Sequence, residues 1–130
     1  MRLIAVMALS IFLLSGCVSP PTQQDIQSAD YGLAVDQEVA ETAAKAFFNT
    51  RLKDPESARY SFSPLYKGYI PGSRMQGKNL EAGYLLDVNV NAKNSYGGYV
   101  GAKPYKFLIR NDQVVQVMEV HPSGMQLPLL

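Results

Sequence analysis

Six residues in and beside the connection between two predicted strands are the ones best suited to hold a ligand. They carry amide, hydroxyl or ammonium groups and lie close together in the chain: Asn91, Lys93, Asn94, Ser95, Tyr96 and Tyr99. Asparagine amides both donate and accept hydrogen bonds, and a lysine adds a point charge. Gly97, Gly98 and Gly101 leave the backbone free to take positive φ. The pattern predicts either a ligand-binding loop or a strand connection whose Asn, Ser and Gly residues satisfy backbone groups.

A catalytic or metal site is not indicated by the remaining residues. His121 is the only histidine. Glu119 lies two residues away on the same predicted strand face, about 6–7 Å distant in Cα, and no nucleophile is placed beside the pair. One histidine and one cysteine do not make a zinc site without further ligands. We therefore expect a protein that is not an enzyme and that uses no cofactor and no metal.

The N-terminus has the pattern of an export signal. Arg2 is the only charge before Asp25, and the apolar run from Leu3 to Leu14 is interrupted only by Ser10. A positive residue, a 7–15-residue apolar run and a small-residue site are typical of a secretory signal. A transmembrane helix needs about 20 apolar residues, so the run is too short for one. The alternative is a buried N-terminal helix, which the absence of a polar face disfavours.

Leu14-Ser15-Gly16-Cys17 resembles the lipobox of bacterial lipoproteins. The resemblance implies that the peptide before Cys17 is removed and that Cys17, the only cysteine, carries acyl chains such as palmitate. Val18 rather than Asp after the cysteine implies sorting to the outer membrane, facing the periplasm. A lipidated cysteine also avoids the liability of a free thiol in an oxidising compartment. The predicted organisation is a signal peptide at 1–16, a lipidated N-terminus and flexible tether at 17–35, and one domain at 36–130.

The tether is predicted from a polar, proline-containing stretch. Val18–Gln24 contains two adjacent prolines and suits an extended segment. Asp25–Val35 is compatible with a short helical turn or with further linker, and Gly32 argues against one helix through it. If residues 18–35 were all extended, they would reach up to about 60 Å.

Periodicity predicts an α+β domain in which one N-terminal amphipathic helix packs on an antiparallel sheet of about four strands. Asp36–Leu52 has an apolar stripe at helical spacing, with Asp36 as its N-cap. From Arg59 the period becomes two, and strands are predicted at the segments beginning at Arg59 and at Gly83–Asn91, Tyr99–Arg110 and Gln113–Val120. Asn111-Asp112 is predicted to join the last two as a hairpin. Gly68–Asn79 is predicted to be a loop, and Met125–Leu130 has no assignment.

Composition and charge limit the possible partners. The 130 residues allow one domain, 47% hydrophobic residues exclude a disordered chain, and a net charge of +1 excludes an overall polybasic DNA-binding protein. Charge is nevertheless segregated: Asp25–Glu56 is acidic, whereas Ser57–Arg110 is basic and contains seven of the eight tyrosines. The basic part predicts a surface for acidic envelope groups, namely lipopolysaccharide, peptidoglycan or an acidic protein. The alternative is that it pairs with the acidic part or is simply solvated.

A second resemblance concerns the domain itself. The segments Leu52–Ala58 and Val90–Gly101 together resemble a group of small exported bacterial and phage-encoded proteins, many of them lipoproteins, over roughly residues 45 to 110. This resemblance implies an envelope location and no catalytic residue. We therefore expect a membrane-anchored binding or assembly module of the envelope that does not bind nucleic acid. The alternative is an inhibitor of a wall-degrading enzyme, or a phage-related envelope protein.

Overall fold

The computed structural model describes residues 19–72 and 80–130, which form two α-helices, one 3₁₀ turn and six strands. In chain order these elements are α1 (Gln23–Gln27), α2 (Gln37–Asn49), the 3₁₀ turn (Pro55–Ser57), β1 (Arg59–Phe62), β2 (Tyr66–Pro71), β3 (Leu80–Asn91), β4 (Lys103–Arg110), β5 (Gln113–Val120) and β6 (Gln126–Pro128). The predicted α+β class is confirmed. Two details of it are wrong: the sheet has six strands rather than about four, and the amphipathic helix α2 is preceded by α1.

All the strand pairings are antiparallel, and the sheet is arranged around the long strand β3. The order is β1-β3-β4-β5-β6, with β2 also paired to β3. β1 lies along the C-terminal half of β3, where Arg59 is opposite Asn91, and β2 lies along its N-terminal half, where Tyr66 is opposite Leu85. β3 is long enough for two short partners because it has 12 residues.

The main core lies between α2 and one face of the sheet. Ala40, Ala44 and Phe48 recur every fourth residue, so they share one face of α2, and all three are buried. They pack on alternate residues of the strands: Leu86, Val88, Val90, Phe107, Ile109 and Val117. The two alanines let the helix approach closely, and the Phe48 ring meets that of Tyr105 edge-on at 4.8 Å between centroids.

The opposite face of the sheet is also apolar. Ile70, Leu85, Leu108 and Met118 form a second, smaller buried cluster there. β3 and β4 are thus buried on both faces, which explains why their sequences contain continuous apolar runs as well as alternation.

The predicted loop Gly68–Asn79 is wrong for its first residues, because β2 extends to Pro71. Among the described residues β2 pairs with β3 alone, and an edge strand tolerates both a glycine and a proline. Gly68 has a packing reason as well, since a Cβ there would lie 2.4 Å from Leu85 Cδ1. Residues 73–79 of the predicted loop lie outside the described residues.

Other predicted boundaries also differ from those of the structure. β4 begins at Lys103 rather than Tyr99, and the helix ends at Asn49 rather than Leu52. Asp36 occupies the N-cap position of α2, although its side chain makes no capping hydrogen bond. The unassigned tail contains β6, which pairs with the end of β5.

The segment predicted as a tether through residue 35 makes contacts in its second half. α1 begins with a capping box between Thr22 and Asp25, so the helical-turn alternative holds for Gln23–Gln27. Farther on, the Asp30 carboxylate pairs with Arg110, and the Leu33 N–H donates to Asn111 Oδ1 at 3.0 Å. Residues 30–33 thus contact the end of β4 and the hairpin that follows it, and we call this segment the clasp.

Gly32 fits the close approach of the clasp to the sheet. Its φ of +74° belongs to the region that glycine adopts most easily. A Cβ at this position would lie 2.7 Å from Asn111 Oδ1 and 2.8 Å from Arg110 Cγ. A side chain at residue 32 would therefore force the clasp away from the hairpin.

Candidate functional site

The candidate site is a groove of about 180 Å³ at the end of the sheet where β3 finishes and β4 begins. Its walls come from three segments: residues 51–53 after α2, residues 90–94, and residues 100–105. Four cationic side chains line it: Arg51, Lys53, Lys93 and Lys103. Since no acidic residue of the ranges 19–72 and 80–130 lines it, we call it the basic groove.

The end of α2 positions two of the cations. The N–H groups of Arg51 and Leu52 both donate to the Phe48 carbonyl at 2.9 Å, which closes the last turn. Leu52 packs on the main core, and the residues on either side of it, Arg51 and Lys53, are exposed. One half-buried leucine therefore fixes the place at which both cations leave the core.

The loop between β3 and β4 is held by Asn94. Its Oδ1 accepts hydrogen bonds from the N–H groups of Tyr96 at 2.9 Å and Gly98 at 3.2 Å. Gly97 has a φ of +80°, and no atom would lie within 4 Å of a Cβ added there. Tyr96 is 97% exposed at the turn.

The base of the loop is tied to the 3₁₀ turn through Ser57. The Lys93 N–H donates to Ser57 Oγ at 2.9 Å, and the Tyr99 hydroxyl donates to the Ser57 carbonyl at 2.9 Å. Asn91 Oδ1 accepts from the Gly101 N–H at 3.2 Å. The backbone that carries Lys93 is therefore fixed from two sides.

Aromatic rings, rather than carboxylates, lie against several of these cations. The Arg51 guanidinium lies 3.8 Å from the centre of the Phe47 ring. The Tyr99 ring has two cations over it, with Arg59 at 4.2 Å and the Lys93 ammonium at 5.6 Å. Such contacts stabilise a cation by about 0.5–1 kcal/mol at exposed sites and leave its charge uncompensated.

No carboxylate of the described residues neutralises the cations of the groove. Among residues 19–72 and 80–130, none of its four cations forms an ion pair with a carboxylate. Two other cations of the basic part are paired, Arg110 with Asp30 and Lys106 with Asp87 at 2.6 Å. The alternative that the basic part of the sequence pairs with the acidic part therefore holds for Arg110 and not for the four cations of the groove.

Tyr105 adds a neutral hydroxyl to the groove. Burial, and secondarily the Glu119 carboxylate, raise the pKa of this hydroxyl. A tyrosine hydroxyl is protonated at neutral pH even without this shift, and it can donate a hydrogen bond to an anion. Cations together with a hydroxyl donor suit a carboxylate or phosphate ligand.

A larger cavity, about 370 Å³, lies between the N-terminal segment and the second face of the sheet. Its floor includes Leu108 and Val115. Two of its carboxylates are already engaged, because Asp25 accepts hydrogen bonds from Thr22 and Asp30 pairs with Arg110. This cavity therefore offers less unused binding chemistry than the basic groove.

His121 belongs to a local turn. Its Nδ1 lies 2.8 Å from Ser123 Oγ and accepts from the Ser123 N–H at 3.2 Å. The Gly124 N–H donates to the His121 carbonyl at 2.8 Å. These contacts place the imidazole in the connection between β5 and β6, with its ring nitrogen turned to its own backbone.

The predicted site residues divide into three groups. Lys93 and Asn94 line the groove, and Asn91 and Tyr99 support the base of the loop. Ser95 and Tyr96 are exposed on the loop and do not line the groove. Sequence reasoning did not select Arg51, Lys53 and Lys103, because they come from two segments that only the folded topology brings to Lys93.

Cys17 and the lipobox lie outside the described residues. Within the described residues, no helix has the length and apolarity needed to span a membrane. The same residues contain no cluster of three or more His, Cys, Asp or Glu side chains suited to a metal ion. Comparison of the chain with protein-family models, with curated proteins and with solved structures finds no match.

Proposed function

We propose that this protein is a lipid-anchored, non-catalytic binding module of the cell envelope, held in the outer membrane through Cys17, and that its basic groove binds an acidic envelope component. The observation that carries the proposal is the convergence of four cations, none paired with a carboxylate in the described residues, on one groove. An anionic ligand would replace the missing counter-charge without displacing an existing ion pair.

The anchoring part of the proposal depends on the lipobox-like sequence. Several acyl chains on one cysteine exceed the two signals needed for stable membrane attachment. We expect metabolically supplied palmitate to label the wild-type chain and not Cys17→Ser, and the variant to move from the membrane fraction to the soluble fraction. Equal labelling of both would contradict the anchor.

The binding part is tested with fluorescent poly-L-glutamate as the anionic probe and the full-length lipidated protein in detergent micelles. The groove variant is Lys53→Gln with Lys103→Gln. The control variant is Lys45→Gln with Lys67→Gln, which removes the same charge from exposed residues outside the groove.

We expect the groove variant to bind the probe about tenfold more weakly, since two cation–anion contacts contribute about 1.4 kcal/mol together. The control variant should bind within about twofold of the wild type. Equal weakening in both variants would mean that net charge, rather than the groove, governs binding, and would overturn the proposal. Absence of binding by the wild type would overturn it as well.

Inhibition of a wall-degrading enzyme is the second candidate function. The observation that favours it is Tyr96, 97% exposed at a loop tip that Asn94 holds in shape. Such a tip suits insertion into an active-site cleft. Tyr96→Ala should abolish inhibition of a muramidase if this function holds, and should leave poly-L-glutamate binding unchanged if the groove is the site.

A further inference from the structure

The basic groove and the clasp lie at opposite ends of the domain. The groove contains Lys103, the first residue of β4, and the clasp holds Arg110, the last. Seven residue steps at about 3.4 Å separate them by about 24 Å. α2 points toward the groove end. Its first residue, Gln37, hydrogen-bonds Ser63 and Leu65 near β2, whereas residues 51–53, which follow its last turn, reach the groove.

The clasp also limits how far the domain can stand from its anchor. Without it, residues 18–35 could extend up to about 60 Å. With it, the part of the chain that follows Thr22, the cap of α1, is tied to the sheet at residues 30–33. Only residues 18–21 separate Cys17 from Thr22, which corresponds to an extended reach of about 17 Å.

The two adjacent prolines, Pro20 and Pro21, stiffen this short connection. A short connection leaving from the clasp end places that end toward the bilayer and the opposite end toward the periplasm. The two ends also differ in charge, because the clasp end pairs its Arg110 with Asp30, whereas the cations of the groove end have no carboxylate partner among the described residues.

From this arrangement we infer that the acidic ligand of the groove is not a headgroup of the anchoring membrane but a carboxylate-bearing polymer beyond it, the peptidoglycan layer. This inference rests on the proposed function, and it adds which ligand the groove binds and on which side of the domain that ligand lies. Peptide stems of peptidoglycan carry carboxylates and amides, which the lysine ammonium groups and the Tyr105 hydroxyl can bind. The distance of about 24 Å between the two ends exceeds the Debye length of about 8 Å in physiological salt, so the groove is screened from lipid charge at the clasp end.

The experiment measures co-sedimentation of vesicle-anchored, full-length lipidated protein with purified peptidoglycan sacculi. One set of vesicles is made of phosphatidylcholine alone, and the other also contains anionic phosphatidylglycerol. The groove variant and the control variant defined above are measured in both.

We expect wild type and control variant to bind sacculi from both kinds of vesicle with affinities within about twofold, and the groove variant to lose about tenfold. A tenfold weakening of wild-type binding in phosphatidylglycerol vesicles would mean that the groove contacts its own membrane, which would overturn the inference. Sacculus binding that the groove variant retains in full would overturn it too.

Failure of the inference is distinguishable from failure of the proposed function. If the wild type binds poly-L-glutamate through the groove but does not bind sacculi, the anionic site stands and peptidoglycan is the wrong ligand. If neither probe is bound, both are wrong. Binding of free phosphatidylglycerol vesicles in place of sacculi would assign the groove to lipid phosphates.

Discussion

Asn111 has two roles, one in the hairpin and one in the clasp. Together with Asp112 it forms the two-residue connection between β4 and β5, with φ values of 50° and 61°. Two positive φ values are what a type I′ hairpin turn requires, and Asn and Asp tolerate them better than other non-glycine residues. The Asn111 side chain then accepts the Leu33 N–H, so the turn and the clasp share a residue.

Substitution can separate the two roles. We expect Asn111→Ala to lower the free energy of unfolding by about 1–2 kcal/mol, because alanine disfavours positive φ and has no acceptor. Asn111→Gly keeps the backbone freedom and loses only the acceptor, so it should cost less. Urea denaturation of both variants measures the difference. An alanine variant as stable as the glycine variant would show that the turn conformation is unimportant.

Asp30 gives the clasp a pH dependence with a definite sign. A hydrogen bond from the Gly32 N–H and then the Arg110 charge hold the pKa of Asp30 below its usual 3.8. A carboxyl whose pKa is lower in the folded state stabilises that state above about pH 3.8, and this contribution is lost as the pH falls through the lower, folded value. The clasp should therefore persist through the mildly acidic range.

Asp30→Asn tests this assignment. We expect the variant to lose the protection of the Leu33 amide against hydrogen exchange at neutral pH, while the wild type loses it only at a pH below 3.8. Asp112→Asn removes the same charge on the neighbouring hairpin and serves as the control. Protection of Leu33 that is identical in all three proteins would show that the ion pair does not hold the clasp.

At the scale of the elements, α2 is held mainly by Phe48. This side chain is 2% exposed and contacts the rings of Tyr60, Tyr105 and Phe107. Phe48→Ala should cost about 3–5 kcal/mol in unfolding free energy, because it removes a large buried ring and leaves a cavity. Thr42→Ala, on the exposed side of the same helix, should change it by less than about 0.5 kcal/mol. Chemical denaturation of the two variants shows whether the packing of Phe48 or the helix propensity of α2 accounts for the stability that this helix contributes.

The elements that could be predicted from sequence are the ones with long, regular patterns. α2, β3 and β5 have a strong period over eight residues or more, and β5 was predicted with its boundaries correct. β2 and β6 were missed because they are short edge strands that contain glycine or proline. Their stability comes from pairing with β3 and β5, which no local pattern records.

The residues of the basic groove could likewise be predicted from the sequence only in part. Lys93 and Asn94 could be found because they lie in one polar loop between two predicted strands. Arg51 and Lys53 were explained locally, as cations at the end of a helix, and Lys103 as part of a strand. Only the pairing of β3 with β4 and the docking of α2 bring these residues to one groove, so their proximity is a property of the topology.

At the scale of the whole molecule, the groove predicts a steep salt dependence. Raising NaCl from low to physiological ionic strength and beyond should weaken poly-L-glutamate binding by wild type severalfold, because exposed charges are screened over about 8 Å at 0.15 M. The groove variant should respond less steeply, since fewer charges contact the probe, and the control variant should follow the wild type. Fluorescence anisotropy at a series of salt concentrations measures this. The same salt response in all three proteins would contradict a role for the groove.

The separation of the clasp from the groove also has a mechanical consequence. If Cys17 is fixed in a bilayer and the groove holds a polymer, part of the tension between the two runs, for as long as the clasp holds, from Arg110 to Lys103 along the length of β4. β4 is flanked on both sides, by β3 and by β5. A load parallel to a strand shears its hydrogen bonds all at once, whereas a load across it would open them one after another. A pull of this kind would therefore load β4 in its stronger direction.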